Sequence, residues 1–283
     1  MRPQVAYITA DPGTDPDLIA ALPALDHAGL DVHPVPWDAG FQWADADLVL
    51  VGSPHDVGRR RPEFLRWARN VEEHTRLANA ALTLVRNTDR TYLRDLPGRG
   101  VPVVDTVWFE PGDTEQECAE AVAGLGWAEC QVCAATCDPM EATSHEGPVA
   151  AAAAAAAIAA GGTVAMIRSG AVASARVGMV LLAGRVSHAV TWQGPEPSAF
   201  TPDAELARQA LAFAGTAAGG DGLLHARVDL VEDAGRWKLL ELQATSADLF
   251  LRAEPRAAQA YAHAVRQWVM PEAQAADFLA ASG

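Results

Sequence analysis

The sequence predicts an α/β protein with a parallel, doubly wound sheet in its N-terminal part and α+β structure after it. Three observations lead to this prediction. The chain has 283 residues, half of them hydrophobic, which is enough to bury a large core in one to three domains. Apolar segments of strand length alternate with helical segments near the start of the chain. Later segments of strand length follow one another through short turns, as they do in antiparallel sheets.

The N-terminal elements alternate between strand and helix. QVAYITA is a strand that ends at the turn-rich segment ADPGTDPD. A helix is predicted at residues 16–28, where leucines recur on one face and Gly29 follows as the stop. LDVHPVPW and DADLVLVGS are the second and third strands. We therefore expect a parallel sheet at this end of the chain.

The carboxyl end of the third strand is a candidate substrate site. Ligands of doubly wound sheets bind beyond the carboxyl ends of the strands, which places residues 10–15 and 52–56 on a possible substrate edge. This strand ends at Gly52-Ser53-Pro54 and leads into His55 and Asp56. We predict that Ser53, His55 and Asp56 contact the substrate. The alternative is a plain turn built on Pro54.

The remaining elements are predicted to form a middle part and a C-terminal part. Helices are expected at 62–75, 89–99, 115–124, 149–160, 202–215 and 255–268, and extended segments at 101–109 and 127–136. TVAMIRS, VGMVLLAG and RVSHAVTW are predicted as three strands of one small antiparallel sheet, with a hairpin turn at Ala183-Gly184. HARVDLVEDAGRWKLLELQ forms a last hairpin at 225–243. The predicted domains are 1–100, 101–192 and 193–283.

The charge balance limits the class of partner. The formal net charge is −15, and Lys238 is the only lysine in the chain. An acidic surface argues against nucleic acid and anionic membranes as partners, so we expect a small-molecule substrate. The first twenty residues lack the pattern of a signal peptide, and the longest apolar run is too short to span a bilayer, which predicts a cytoplasmic protein. A homodimer and a protein partner are both compatible with this composition.

The hairpin at 225–243 carries the strongest chemical signal. Positions two apart on a strand point the same way, so Arg227 shares a face with Asp229, and Glu241 shares a face with Gln243. Carboxylate and amide oxygens suit Mg²⁺, and the fork of an arginine suits phosphate oxygens. The alternative is an amphipathic hairpin whose charges form salt bridges on the solvent face.

Four segments resemble one family when they are taken in order. ARVDLVEDAGRWKLLELQATSADLFL resembles the closing segment of ATP-grasp ligases, where an Arg-x-Asp strand precedes a Glu-x-Glu or Glu-x-Asn strand. DLVLVGSPHD, RLANAALTLVRNTDRTYLRDLPGRGVPVVDTVWFEPG and LLAGRVSHAV are similar to stretches of the bacterial branch that contains the D-cycloserine-forming ligase and glutathione-synthetase-like proteins. The likeness covers roughly residues 45–265.

The resemblance implies an ATP-grasp fold, with a preATP-grasp α/β N-terminal domain and two α+β subdomains that hold ATP between them. Members activate a carboxylate as an acylphosphate, and an amine or another nucleophile then displaces the phosphate. By the same resemblance, Mg²⁺ would be bound by Asp229, Glu241 and Gln243. Arg227 would bind phosphate and act in catalysis, and Arg90 stands where a phosphate-binding lysine is expected.

The chain departs from the family pattern around the nucleotide. Cys133 stands where a second phosphate-binding lysine is expected, and Met166-Ile167-Arg168 replaces the hinge stretch. Arg176 replaces a glutamate. Each lost charged contact would cost about 1.5–3 kcal/mol of binding. Arg168 or Arg176 would compensate if their side chains point inward, so both are candidate cofactor-binding residues.

The cysteines allow three interpretations. Cys130, Cys133, Cys137 and His145 have a spacing that could hold zinc, and Cys133 could act as a nucleophile. The third interpretation is that they are small buried residues.

Two hypotheses for function follow. The first is an ATP- and Mg²⁺-dependent ligase or cyclase that forms a C–N bond on a small, amino-acid-like substrate, in specialised metabolism. The second is a degenerate ATP-grasp protein that does not turn over ATP, and that acts as a binding or regulatory partner or as an ATP-independent enzyme.

Overall fold

A computed structural model of the chain describes residues 1–54, 56–125, 127, 129–136, 143–160, 162, 164–168, 175–192, 196–220 and 222–270. The strands of this part form three sheets, two of four strands and one of five. None of the helices in the described part is both long and apolar enough to cross a membrane.

The first sheet is parallel, as predicted. It contains β1 (Gln4–Thr9), β2 (Asp31–Val35), β3 (Leu48–Ser53) and β4 (Leu77–Ala78), in the order β2-β1-β3-β4. Helices α1 (Pro16–His27) and α2 (Arg61–His74) connect its strands. The side chain of Asp15 caps α1 by accepting hydrogen bonds from the backbone N–H groups of Asp17 and Leu18.

The segment after this sheet differs from the prediction. A short helix α3 (Ala81–Asn87), which was not predicted, follows β4. The helix predicted at 89–99 is instead two 3₁₀ stretches, Arg90–Asp95 and Pro97–Arg99. Proline interrupts the hydrogen-bond ladder of an α-helix, so Pro97 divides the segment.

The second sheet is antiparallel and has its own core. It contains β5 (Thr106–Phe109), β6 (Glu129–Ala134), β7 (Thr143–Glu146) and β8 (Val164–Arg168), in the order β5-β8-β6-β7. Helices α4 (Glu115–Leu125) and α5 (Gly147–Ala159) cover one face. The alanine run forms α5, and Ala150 and Ala154 are fully buried against this sheet.

The third sheet carries the predicted hairpin. It contains β9 (Arg176–Leu182), β10 (Arg185–Trp192), β11 (Pro197–Phe200), β12 (His225–Asp233) and β13 (Arg236–Gln243), in the order β11-β10-β9-β12-β13. Helix α6 (Ala204–Ala218) packs on it, and α7 (Ala257–Val269) packs between it and α1.

One predicted pairing is wrong. β8 was expected beside β9 and β10, but it pairs with β5 and β6 in the second sheet, whereas β9 pairs with β10 and β12. The apolar pattern of a strand identifies the face that is buried and does not identify the neighbouring strand. The boundary predicted at residue 192 therefore falls within the five-stranded sheet.

Two hairpins of this sheet, β9–β10 and β12–β13, turn in the same way. Ala183 and Gly184 have φ values of 46° and 75°, and Ala234 and Gly235 have φ values of 50° and 76°. Two successive residues with positive φ form the type I′ turn, whose twist matches that of the strands. The hairpin turn predicted at Ala183-Gly184 is confirmed.

The central strand β9 packs on both faces. Val180 and Leu182 lie in the same core as Leu25 and Tyr261, and so join the N-terminal sheet to this one. Val177, Met179 and Leu181 point the other way, toward α6.

A buried asparagine also joins the two sheets. Asn79 follows β4, is fully buried and has φ 60°. Its Nδ2 donates to the carbonyl oxygens of His225 and Ala244, each at 2.8 Å, and its Oδ1 accepts from the N–H of Leu224 at 2.9 Å.

Candidate active site

The register of the hairpin brings the four predicted side chains together. Arg227 lies opposite Gln243, and Asp229 lies opposite Glu241. The register shifts just beyond Asp229, so these two pairs are on the same side of the bulge. Arg176 begins β9 on the other side of β12 and reaches the same face. The polar residues therefore converge on one patch of the five-stranded sheet.

Asp229 is held by two arginines. It is fully buried, and Arg227 donates to its carboxylate through Nε at 2.7 Å and Nη2 at 3.1 Å. Arg176 Nη2 donates to Asp229 Oδ2 at 2.6 Å. Burial would raise the pKa of Asp229, but the positive charges of Arg227 and Arg176 outweigh burial and hold the pKa below its ordinary value.

Arg227 directs its remaining donors into the protein. Nη2 donates to Gln243 Oε1 at 2.7 Å, and Nη1 donates to the carbonyl oxygen of Asp248 at 2.7 Å. The guanidinium carbon lies 5.2 Å from the centre of the Phe250 ring and 5.8 Å from that of Trp192. These contacts fix the side chain that was predicted to bind phosphate and act in catalysis.

Arg90 joins the hairpin to the second sheet. Its Nε lies 3.2 Å from Glu241 Oε1, and both side chains are largely buried. The backbone N–H of Arg90 donates to the carbonyl oxygen of Ala135 at 2.9 Å, and its Nη1 lies 3.4 Å from that of Ala134. This is the border between the two sheets at which the resemblance places ATP.

A small cavity opens beside this ion pair. Its volume is about 50 Å³, room for one or two water molecules. Most of the residues that line it are of polar types; they are Val57, Gly58, Asn87, Thr88, Arg90, Ala135, Thr136, Glu241, Gln243, Thr245 and Ser246. Three of the predicted site residues thus share one cavity.

The oxygens predicted to bind Mg²⁺ already have partners. Both oxygens of Asp229, Oε1 of Gln243 and Oε1 of Glu241 face guanidinium groups. Glu241 Oε2 lies 3.5 Å from Gln243 Nε2. Within the described residues, no group of three or more His, Cys, Asp or Glu side chains is arranged to hold a metal ion. The arranged donor set therefore does not fit a divalent cation.

The cysteines give little support to zinc or to a nucleophile. Cys130 and Cys133 are buried, and the thiol of Cys133 lies 3.8 Å from the carbonyl oxygen of Ala165. His145 Nε2 is 2.7 Å from Thr143 Oγ1. Cys137 lies outside the described residues. The geometry agrees best with small buried residues.

Two predicted site side chains lie outside the described part of the chain. The backbone of Arg168 ends β8 opposite Cys130, but its side chain is not among those described. His55 is not described either.

Ser53 and Asp56, two of the predicted substrate residues at the end of β3, contact different parts of the protein. Ser53 Oγ donates to Asp15 Oδ2 at 2.5 Å and lies 3.1 Å from Thr9 Oγ1. Asp56 lies 3.6 Å from Arg60 Nη1. Asp15 lies in the segment 10–15 that was predicted to border the substrate, whereas Thr9 was not predicted.

Part of the chain matches one family model. Residues 5–79 match the model described as D-cycloserine synthetase DcsG, N-terminal domain. The cycloserine biosynthesis protein DcsG of Streptomyces lavendulae is 34% identical over 100 residues, which is 35% of this chain and 33% of that protein. The match thus spans about a third of the relative's length.

Solved structures resemble almost the whole chain. The crystal structure of D-cycloserine synthetase DcsG has a TM-score of 0.84 at 23% identity, over 94% of this chain and 99% of that one. The RimK domain ATP-grasp protein of Sphaerobacter thermophilus has a TM-score of 0.68 at 18% identity, over 92% and 98%. The D-alanine–D-alanine ligase of Bacillus anthracis complexed with ATP has a TM-score of 0.67 at 10% identity, over 95% and 97%. These likenesses confirm the predicted fold.

Proposed function

From the ATP-grasp fold that this chain has, we propose that it is a carboxylate–amine ligase or cyclase in specialised metabolism, acting on a small, amino-acid-like substrate. The fold rests on its likeness to ATP-grasp ligases of known structure. The match of residues 5–79 to the N-terminal domain of D-cycloserine synthetase supports the choice of substrate class.

The observation that carries the proposal is the position of the charged cluster. Arg90, Arg227, Asp229, Glu241 and Gln243 converge where the five-stranded sheet meets β6. Arg90, Glu241 and Gln243 also line a cavity there. A charged cluster at a cavity between two sheets is a suitable place for phosphoryl chemistry, which needs positioning and electrostatic stabilisation.

The role assigned to the side chains of this site is to bind the charged and polar groups of the ligands. ATP, when bound, supplies the phosphoryl group that activates the substrate carboxylate. Arg90 and Arg176 would attract the anionic groups of the nucleotide and the substrate, since guanidinium groups bind phosphate and carboxylate oxygens well. The Ser53–Asp15 pair, at the end of β3, would contact the polar end of the substrate.

A second candidate function has its own support. The position of a phosphate-binding lysine is taken by the buried Cys133, and the donors of Arg227 face protein oxygens. We propose as the alternative a degenerate ATP-grasp protein that binds a partner or a small molecule without turning over ATP.

Calorimetry with ATP separates the two candidates. The ligase proposal expects ATP to bind with a Kd below about 1 mM, and Glu241→Ala to weaken binding at least about tenfold, because Arg90 loses the carboxylate that positions it. Glu120→Ala, which removes an exposed carboxylate on α4, is the matched control and should leave the Kd unchanged. Release of phosphate with amino-acid-like substrates would then identify the reaction. An absence of ATP binding at millimolar concentration would contradict the ligase and favour the degenerate protein.

A further inference from the structure

We infer that this site works without a divalent cation, because Arg90 and Arg176 occupy the carboxylates at which a metal ion would bind. The inference deepens the proposed function and rests on it for the nature of the ligand. The ligand expected at this face is an anionic group, a phosphate or a carboxylate, bound by the side chains of the chain itself.

The first carboxylate is closed by Arg176. Arg176 Nη2 lies 2.6 Å from Asp229 Oδ2, and Arg227 binds both oxygens of the same carboxylate. Asp229 is fully buried, so a metal ion would have to displace a guanidinium group in order to reach it. The displaced Arg176 guanidinium group would then lose its carboxylate partner.

The second carboxylate is closed by Arg90. Arg90 Nε lies 3.2 Å from Glu241 Oε1, in a pair that is largely buried. The backbone of Arg90 is held by the carbonyl oxygen of Ala135, so the side chain starts from a fixed position. Both carboxylates of the predicted metal set therefore have a guanidinium partner.

The position of Arg176 is built into the sheet. Its guanidinium carbon lies 4.3 Å from the centre of the Trp192 ring. Gly178 makes room for this arrangement, since a Cβ there would come within 2.9 Å of the Trp192 ring and 3.1 Å of Arg227 Cδ. The contact of Trp192 and Arg227 above Gly178 thus needs a glycine at that position.

The guanidinium groups of the cluster can attract an anion. Arg90 faces Glu241, and Arg176 and Arg227 face Asp229, while the Asp248 carboxylate also interacts with Arg227. A divalent cation that approached either Asp229 or Glu241 would therefore also approach a positive charge. A phosphate or carboxylate group would be attracted to the same guanidinium groups.

The test compares nucleotide binding with and without metal in the wild-type protein. Calorimetry with ATP is done in Mg²⁺ and again in excess EDTA. We expect the two Kd values to agree within about threefold, and Arg176→Gln to weaken binding in EDTA at least about tenfold. Arg185→Gln, which removes an exposed arginine from the adjacent strand, is the control and should change neither Kd. Binding in Mg²⁺ that disappears in EDTA would overturn the inference and leave the proposed function intact.

The absence of ATP binding would contradict the proposed function. Even then, a titration with a metal ion tests the inference separately. Mn²⁺ is added to the protein alone, and its electron paramagnetic resonance signal reports the free ion. We expect no binding below about 1 mM in the wild type, and at least about tenfold tighter binding in Arg176→Gln, because that change frees Asp229 Oδ2. Wild-type binding of Mn²⁺ that Asp229→Asn abolishes would overturn the inference.

Discussion

Replacement of Asn79 by alanine should destabilise the protein strongly, although the residue lies outside the charged cluster. Its side chain makes three hydrogen bonds to backbone groups of the five-stranded sheet, two from Nδ2 and one to Oδ1. Its φ of 60° is a left-handed conformation that asparagine tolerates better than alanine does.

The expected magnitude follows from these contacts. A net contribution of about 1 kcal/mol for each hydrogen bond, with a further penalty for buried backbone groups left without a partner, gives about 3–6 kcal/mol. The left-handed backbone adds about 1 kcal/mol when alanine occupies it. Because Asn79 joins the loop after β4 to both Leu224 and Ala244, its loss loosens the N-terminal sheet from β12 and β13.

Urea denaturation followed by circular dichroism measures this loss as a change in the free energy of unfolding. Asn70→Ala is the control, because Asn70 is an exposed asparagine on α2. We expect the control to change the free energy of unfolding by less than about 0.5 kcal/mol. A loss below about 1 kcal/mol for Asn79→Ala, with an unchanged denaturant slope, would refute the reasoning.

Three further predictions concern pH and packing. Burial raises the pKa of Asp17 to about 7, so its folded form binds a proton that the unfolded form releases near its ordinary value of 3.8. Wild-type stability relative to Asp17→Asn should therefore fall by up to about 4 kcal/mol as pH rises between these values. Burial lowers the pKa of His225 from 6.5 to about 4, so the stability of the wild type relative to His225→Gln should rise as pH rises between 4 and 6.5. For either residue, a pH profile of the variant that runs parallel to that of the wild type would contradict the prediction. Gly52→Ala places a Cβ 2.2 Å from the ring of Tyr7 and should cost about 2–3 kcal/mol in denaturation, whereas Gly40→Ala, where a Cβ meets no described atom within 4 Å, should cost little.

The sequence was sufficient for the hairpin and its face. The alternation of side chains along β12 and β13 predicts that Arg227 shares a face with Asp229 and that Glu241 shares a face with Gln243. The register then shows that the two pairs lie opposite each other. The parallel sheet at the N-terminus was equally accessible, because strand and helix patterns alternate there.

The contact partners of these charged side chains could not be predicted from the sequence in the same way. Arg176 and Asp229 are separated by 53 positions, and they meet because β9 lies beside β12. Hydrophobic periodicity does not report which strands are neighbours, which is also why β8 was assigned to the wrong sheet. The resemblance to ligases predicted that Arg227 binds phosphate. In the structure, the donors of Arg227 face Asp229, Gln243 and the backbone of Asp248.

The two-faced packing of β9 has a consequence for how the protein opens. Val180 and Leu182 share one core with residues of the N-terminal sheet, whereas the sheet of β5 to β8 packs on a separate core with α4 and α5. Native-state hydrogen exchange should therefore divide the described strands into two cooperative groups. Amides of β1 and β9 would exchange together, through the same opening, and those of β6 and β8 through another. The ion pair of Arg90 and Glu241 lies at the border between these groups, so separation of the two groups would break it.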